Sequence, residues 1–306
     1  MKALGIEIGG TKLQLVLANE EGRILQRRSQ QVALSNGAAG IRAQIARTLP
    51  DLVGNDSIDA VGVGFGGPVD WHTGKICCSH QVAGWSDFDL SDWLGRLTGV
   101  RVAVDNDANV AALGEAVRGA GAGMDPVFYV TLGSGVGGGL VSAGKIFHGA
   151  KPGESEIGHI RLDRAGTTVE SRCSGWAVDA RIRELKVTEP ASLLARLAAN
   201  ESGGEAKHLG TALAQDDASA HRIMAEIAAD LALGLSHVVH LFHPQVIVMG
   251  GGLSRVGEPL RAAVGRALQA CIMTAFAPGP KLLLSQLGED AVPLGAVCLT
   301  GIWAKG

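Results

Sequence analysis

Gly5-Ile-Glu-Ile-Gly-Gly-Thr-Lys12 decides the fold: a short apolar strand runs into paired glycines and directly on into a second apolar strand. Glycine lets bare backbone N–H groups approach an anion, so a turn of this kind suits a phosphate. No Gly-Lys-Ser/Thr opens a helix here, as a P-loop requires, and a strand rather than a helix follows the glycines, unlike a dinucleotide-binding fingerprint. The plan returns at Tyr129-Val-Thr-Leu-Gly-Ser-Gly-Val-Gly-Gly-Gly-Leu140. Alone, either stretch reads as an ordinary hairpin. Two in matching contexts predict one nucleotide held between two related α/β domains.

Period-two apolar alternation predicts strands near 3–8, 12–18 and 24–32, a helix over Ala38–Leu49 and a buried strand at Ala60–Phe65. A hairpin around Trp71–Gly74, a helix at Leu90–Thr98, a strand at Val100–Val104 and a helix from Asp107 to Arg118 follow. Gly119–Gly123 with Asp125-Pro126 reads as a break between domains. The second half restarts with strands at 127–133, 136–142 and 145–148, a repeat of architecture rather than of sequence. Helices are then expected at 175–186, 190–199, 204–214, 218–242 and, after a strand at Gln245–Met249 and Gly250-Gly251-Gly252, up to about Ala275. A strand at 281–285 leads to a terminal helix at Pro293-Leu-Gly-Ala296. The domains expected are 1–118 with 293–306, and 119–292.

The 306 residues suffice for two domains, each with its own core. A net charge of −3 provides no basic footprint for nucleic acid, so phosphate binding has to be local. The 44 glycines cluster at turns, as in an α/β enzyme with backbone-lined loops. Strand and glycines arrive too early for a signal-peptide core, and no later apolar run reads as a membrane span, so a cytoplasmic protein is expected. Five scattered cysteines (Cys77, Cys78, Cys173, Cys271, Cys298) lack metal-ligand spacing and read as reduced structural thiols.

Gly5–Lys12, Gly64-Phe-Gly-Gly-Pro-Val-Asp70, Val104-Asp-Asn-Asp-Ala-Asn109, Gly133-Ser-Gly-Val-Gly-Gly-Gly139, Glu156-Ile-Gly-His159 and Gly250–Gly252 occur in the order found in one family. The set resembles the ROK-family sugar kinases over nearly the whole chain, down to Leu287–Ala296. The resemblance implies a two-lobed actin-like (ribonuclease H-like) fold with a duplicated three-stranded meander, closing over ATP and a hexose, and a terminal helix returning to the first lobe. Repressor members carry a winged-helix domain ahead of the first glycine turn; with that turn at Gly5, none is expected. Relatives also suggest a homodimer, although no stripe in this sequence identifies its face.

Phosphoryl transfer asks for positioning, charge stabilisation and a base for the attacking hydroxyl. The resemblance makes Asp107 that base; local sequence alone makes it a helix N-cap. It further implies phosphate contacts from Gly9, Gly10, Thr11 and Lys12 on one side and Gly133, Ser134, Gly135 and Gly137 on the other. Gly250, Gly251 and Gly252 either border the adenosine or start a helix. Gly67, Asn106, Asp107, Glu156, His159 and Glu170 would meet the sugar hydroxyls, and Gln81 stands where relatives often have Asn. Mg²⁺ would accompany ATP, with Glu7 reaching it through water where the family usually has Asp.

Between His159 and Glu170, most relatives carry a zinc loop with several cysteines; this chain has Arg161–Val169 and then Cys173 alone. Tetrahedral zinc needs four ligands, so no structural zinc is expected. Another group must then orient His159. One family branch without this loop uses polyphosphate, which leaves the donor open. A silent sugar-binding or regulatory protein and an actin-like ATPase are the other readings. Trp85, Trp93, Trp176 and Trp303 are expected as packing anchors, and His237, His240 and His243 as helix surface or a domain seam. Gly119–Gly123 and the junction before Pro293 are candidate hinges.

Overall fold

The computed structural model describes residues 1–32, 34–79, 82–153 and 155–302; Gln81 and Trp303 lie outside them. Contacts divide the chain into one unit of Met1–Gly123, Gly139–Ser155 and Leu287–Gly306, and another of Met124–Gly138 and Glu156–Gln286. The sequence expectation kept 139–155 with the second domain. That segment instead packs on the first unit: a Cβ on Gly139 would lie 2.7 Å from Ala108 O, and Gly153 O accepts from Asn109 Nδ2 at 2.9 Å.

In the first unit, β1 (Lys2–Ile8), β2 (Lys12–Asn19) and β3 (Ile24–Gln31) form the expected antiparallel meander. Next come α1 (Gly37–Val53) and β4 (Ala60–Phe65), which pairs parallel to β1. A small sheet of β5 (Val69–Asp70), β6 (Lys75–Ile76) and β7 (Phe88–Asp89) leads to α2 (Leu90–Thr98). The chain continues into β8 (Arg101–Asn106) and α3 (Asp107–Arg118), and the main sheet has the order β3-β2-β1-β4-β8.

The second meander is β9 (Val127–Leu132), β10 (Val136–Ser142) and a short β11 (Lys145–Ile146). Thereafter run α4 (Val169–Cys173), α5 (Gly175–Thr188), α6 (Leu193–Leu197), α7 (Leu209–Leu213), α8 (Ala218–Phe242), β12 (Val246–Gly250), α9 (Glu258–Cys271) and β13 (Lys281–Leu284). The sheet order β11-β10-β9-β12-β13 repeats the connectivity of the first, with β12 parallel to both β9 and β13. The chain then re-enters the first unit at Leu287 and ends its described part with α10 (Ala291–Leu299).

Both faces of the first sheet are buried, but unequally. Leu4, Ile6, Ile8, Leu13, Leu15, Leu17, Val61, Val63 and Phe65 pack with Ile41, Ile45, Leu49 and Leu52 of α1. Many alternate positions are Gly or Ala, and on this face Ala3, Val16, Ala18 and Ala60 cluster with Leu294 and Val297 of α10. A Cβ on Gly62 would stand 1.7 Å from Ala296 O, and one on Gly5 would stand 2.3 Å from Pro293 O. Gly295 likewise brings α10 onto α3, where its Cβ would lie 1.9 Å from Val110 O. In β4, Ala-Val-Gly-Val-Gly-Phe, period-two alternation separates large from small residues rather than apolar from polar.

Several expected boundaries shift for identifiable reasons. α4 is an addition, started by a capping box between Thr168 and Ser171. The stretch 190–199 shortens to α6 behind the Ser192 cap, and 204–214 divides into a 3₁₀ turn at Glu205–His208 and α7. α9 stops at Cys271 because Ile272 is extended. Pro293 stands in the first turn of α10, where its missing N–H removes no helical bond.

Contrary to expectation, α8 is long and apolar enough to cross a membrane by length and composition, yet half of its most apolar window is buried in the fold. Leu231, Ala232 and Leu235 are fully covered, which identifies a core helix of the second unit.

The buried Glu115 accepts from Ala120 N at 2.8 Å and from Leu287 N at 3.0 Å, tying together two segments that the sequence reading offered as hinges. Gly62→Ala should lower unfolding free energy by about 1–3 kcal/mol or more, because its methyl group meets backbone. Gly265→Ala in α9, whose Cβ would make only a 3.9 Å contact, should instead raise it by about 0.5–1 kcal/mol. Urea midpoints at unchanged m-value decide both.

Candidate functional site

The parallel strands of the first unit end level: Ile8 pairs with Phe65, and Phe65 with Asn106. Their following turns therefore emerge side by side, a common location for ligand sites in parallel sheets. These turns carry Gly9–Lys12, Gly66-Gly67 and Asp107. Gly9 N donates to Lys12 O at 2.9 Å, closing the first turn and leaving Thr11 exposed. Gly66 N donates to Ile8 O at 2.8 Å, and a Cβ on Gly66 would lie 3.4 Å from Asp107 Oδ2. Glu7, Gly9, Gly10, Thr11, Lys12, Gly67, Asn106 and Asp107 are thus gathered at the end of the sheet where β1, β4 and β8 terminate.

At the start of α3, the cap is Asn106, not Asp107. Asn106 Oδ1 accepts from Ala108 N at 2.8 Å and Asn109 N at 3.3 Å, while its Nδ2 donates to Gly67 O at 3.3 Å. Asp107 is the first helical residue, so its carboxylate is not needed as the cap. Asp105, just upstream, is buried and accepts from Asn106 N at 2.8 Å and Asn109 Nδ2 at 3.1 Å through Oδ1. Its Oδ2 lies 2.6 Å from His148 Nε2. Sequence reasoning missed this contact, because nothing local links residues 105 and 148.

Acidic groups surround Lys12, whose Nζ is 3.8 Å from Glu7 Oε2 and 3.4 Å from Glu289 Oε2. Burial pushes the Glu7 carboxyl up to about 7; Lys12 opposes the shift, and Asp107, Glu289 and Asp290 add to it. Glu7 Oε2 is buried without a hydrogen-bond partner.

In the second unit, Gly133 N donates to Gly135 O at 2.9 Å, and Gly133 O accepts from Gly175 N at 2.7 Å at the start of α5. Glu170 Oε2 accepts from Val136 N at 2.9 Å, so one oxygen of this predicted sugar contact braces the second glycine turn. Ser134 is exposed, and Gly135 lies against Glu170, where a Cβ would come within 2.5 Å of Oε2. Gly137 lies in β10. Gly250 and Gly251 pack on the end of β9: their Cβ atoms would meet Tyr129 Oη at 2.1 Å and Leu132 backbone at 2.6 Å. Gly252 has open space at its Cβ. Gly250 and Gly251 therefore have a packing reason of their own, and they lie against the end of β9, which leads into Gly133.

Glu156 and His159 bracket a 3₁₀ turn at Ile157–His159, with His159 Nε2 4.0 Å from Glu156 Oε2 and both side chains more than half exposed. Where relatives carry the zinc loop, Arg161 and Thr168 bridge as a short hairpin. Leu162 N donates to Thr167 O at 2.7 Å, and Val169 N to Ile160 O at 3.0 Å. Hydrogen bonds from Thr167 hold the Asp163 carboxyl below its usual range. Cys173 is buried, with its thiol pushed up to about 12 by burial and its Sγ directed at Ile227 O, 3.8 Å away. No group of three or more His, Cys, Asp or Glu suited to a metal occurs among the described residues.

Trp85 is a core residue and Trp93 packs at its margin, but Trp176 is 60% exposed and is no packing anchor. Trp71 was not singled out, yet it stacks on His72 and His148 at 3.6 and 4.0 Å. His240 Nε2 accepts from Met273 N at 3.1 Å and His243 stacks on Phe276 at 4.0 Å, so these two close the chain beyond α9.

Two sheets of identical strand connectivity, each with glycine turns after its first strand, define an α/β protein of the actin-like ATPase fold. The chain belongs to the ROK family, whose model matches residues 3–301. It is similar to a glucokinase of Thermotoga maritima, with 32% identity covering 98% of this chain and 97% of the relative. Among solved structures, it resembles a ROK family glucokinase from Streptomyces griseus in complex with glucose and AMPPNP. That likeness has a TM-score of 0.86 and 31% identity, covering 98% of this chain and 99% of the other. A ROK family transcriptional regulator, homologue of the E. coli MLC protein, shares the fold at a TM-score of 0.86 with 19% identity, covering 98% of this chain and 78% of that one.

Because the folded-state Glu7 carboxyl ionises at about 7 against an ordinary 4.5, the folded protein holds a proton that the unfolded chain releases. The contribution of the protonated group is complete at low pH and is lost as pH rises through about 7. Glu7→Gln should therefore raise Tm relative to wild type at about pH 8, with the difference shrinking towards about pH 5. A Tm gap that does not change with pH would remove the buried ionisation from the account.

Proposed function

We propose that this protein is an ATP-dependent sugar kinase acting on a hexose of the glucose or N-acetylhexosamine type, with Asp107 as the general base. The observation that carries the reading is the gathering of Asp107, Glu7, Lys12 and the first glycine turn at the ends of three level strands, in a chain related end to end to named glucokinases. Asn106, not Asp107, caps α3, and Asp107 begins the helix beside the first glycine turn. Asp107 would take the proton of the acceptor hydroxyl as that oxygen attacks the terminal phosphorus of ATP, and ADP would leave.

Other residues would hold the reactants. Gly9, Gly10, Thr11 and Lys12, and in the other unit Gly133, Ser134, Gly135 and Gly137, are the candidates for phosphate contacts, with Gly250–Gly252 for the adenosine. Gly67, Asn106, Glu156, His159 and Glu170 are the candidates for sugar hydroxyls. Each hydroxyl paired in this way is a point at which analogues are rejected.

Glu7 Oε2, buried without a hydrogen bond although 3.8 Å from Lys12 Nζ, fits a metal-bound water. Mg²⁺ typically keeps several waters and supplies charge neutralisation on the phosphates when bound. Glu7 stands where the family usually has Asp, and its extra methylene changes how such a water would be reached. Lys12, between Glu7 and Glu289, adds a positive charge that a donor phosphate would meet.

A sugar-binding regulator built on this fold is the second reading, since a regulator shares it, and fold alone does not decide function. ADP release across a hexose and hexosamine panel, run with ATP and again with polyphosphate, separates the readings. Turnover is expected with ATP and a glucose-like sugar; tight sugar binding with no turnover would favour the regulator. Asp107→Asn should lower kcat by roughly 10²- to 10⁴-fold with the fold intact, and near-full activity would remove Asp107 from the mechanism.

A further inference from the structure

The first turn of α3 is fastened from a distant part of the chain. His148, 43 residues beyond Asp105, places Nε2 2.6 Å from Asp105 Oδ2, with only 13% of the histidine side chain and 3% of the aspartate side chain exposed. The histidine ring lies flat on Trp71, with centroids 4.0 Å apart and planes 10° from parallel. That stack sets the ring plane, and Nε2 is the edge turned to the carboxylate. The segment carrying His148 is anchored twice more, by Lys151 on Asp70 at 2.8 Å and by Gly153 O accepting from Asn109 Nδ2 at 2.9 Å.

Asp105 converts this anchoring into the position of its neighbours. A buried carboxylate persists only when its oxygens are partnered. With Oδ2 taken by His148, Oδ1 is held towards Asn106 N and Asn109 Nδ2, the residues on either side of Asp107 and Ala108. Without the His148 donor, Oδ2 is left buried and unpaired, and the carboxylate must turn or draw in water. Either response loosens two of the contacts that hold the turn.

We propose that His148 is a positioning residue for phosphoryl transfer, acting through Asp105 to hold the helix start that presents Asp107 to the acceptor hydroxyl. The inference rests on the reading of Asp107 as base. Displacement of a reacting group by about 1 Å costs up to roughly 10²-fold in rate, which sets the size of effect to expect.

His148→Phe keeps the stack on Trp71 and deletes the donor; His148→Gln restores an amide N–H at comparable reach. With the hexose that wild type turns over best, kcat of His148→Phe should fall roughly 10- to 10²-fold, while KM for ATP moves less than about twofold. His148→Gln should recover most of that loss. A merely structural role would lower Tm in both variants and leave kcat of the folded enzyme in place.

A His148→Phe enzyme with kcat within about twofold of wild type, or a His148→Gln enzyme equally impaired, overturns the inference. Should His148→Phe fail to fold, Asp105→Asn serves, with the same kcat loss expected and a wild-type kcat counting against the proposal. Asp107→Asn in the same assay separates the two ideas. If it is inactive while His148→Phe is not impaired, the base stands and only the role of His148 falls. An active Asp107→Asn, or no turnover by wild type on any hexose, removes the base and this inference together.

Discussion

The close approach of α10 to β1, β4 and α3 is the constraint on which the first unit depends. A helix normally packs about 8–10 Å from its neighbour because side chains keep the axes apart. At Gly5, Gly62, Gly114 and Gly295 there is no side chain, and backbone oxygens of α10 and α3 occupy the space that a Cβ would need. The other face of the same strands carries Leu, Ile, Val and Phe, whose side chains stand between the sheet and α1. One sheet thus receives two helical layers at different depths, and the shallow one locks α3 against the strand ends. Asp107 occupies its place because α3 does.

The resulting site concentrates negative charge. Asp107, Glu289 and Asp290 all add to the rise in the Glu7 carboxyl, and Lys12 is the cation that opposes it. Such an arrangement is costly for a protein at rest, since burial alone already disfavours ionised Glu7. It is suited to chemistry in which a phosphate donor arrives with its metal and a hydroxyl gives up a proton. The same fold in a transcriptional regulator shows that the scaffold does not impose this use.

Much of this was legible in the chain. The strands on either side of each glycine turn, the helix from Asp107 and the repeat of the meander follow from short-range alternation and from turn residues, which depend on neighbours in sequence. The two competing roles of Asp107, base and helix cap, were also visible, although only geometry shows that the cap is Asn106. Short pieces such as α4 and α6 were blurred because five residues carry too little periodicity. The membrane-like composition of α8 needed the fold to explain it, since a helix surrounded by α9, α4 and α7 has the same apolar character as one surrounded by lipid.

By itself, the sequence determined the class of the molecule: two glycine-turn meanders, their order, the family, and which residue types wait at the strand ends. Tertiary structure alone decided that residues 139–155 pack with the first unit, that Glu170 braces the second glycine turn, and that His148 meets Asp105. Local periodicity reports the face on which a residue lies, whereas these contacts join residues tens of positions apart. Only the folded chain, having met the entropy of bringing such segments together, specifies them.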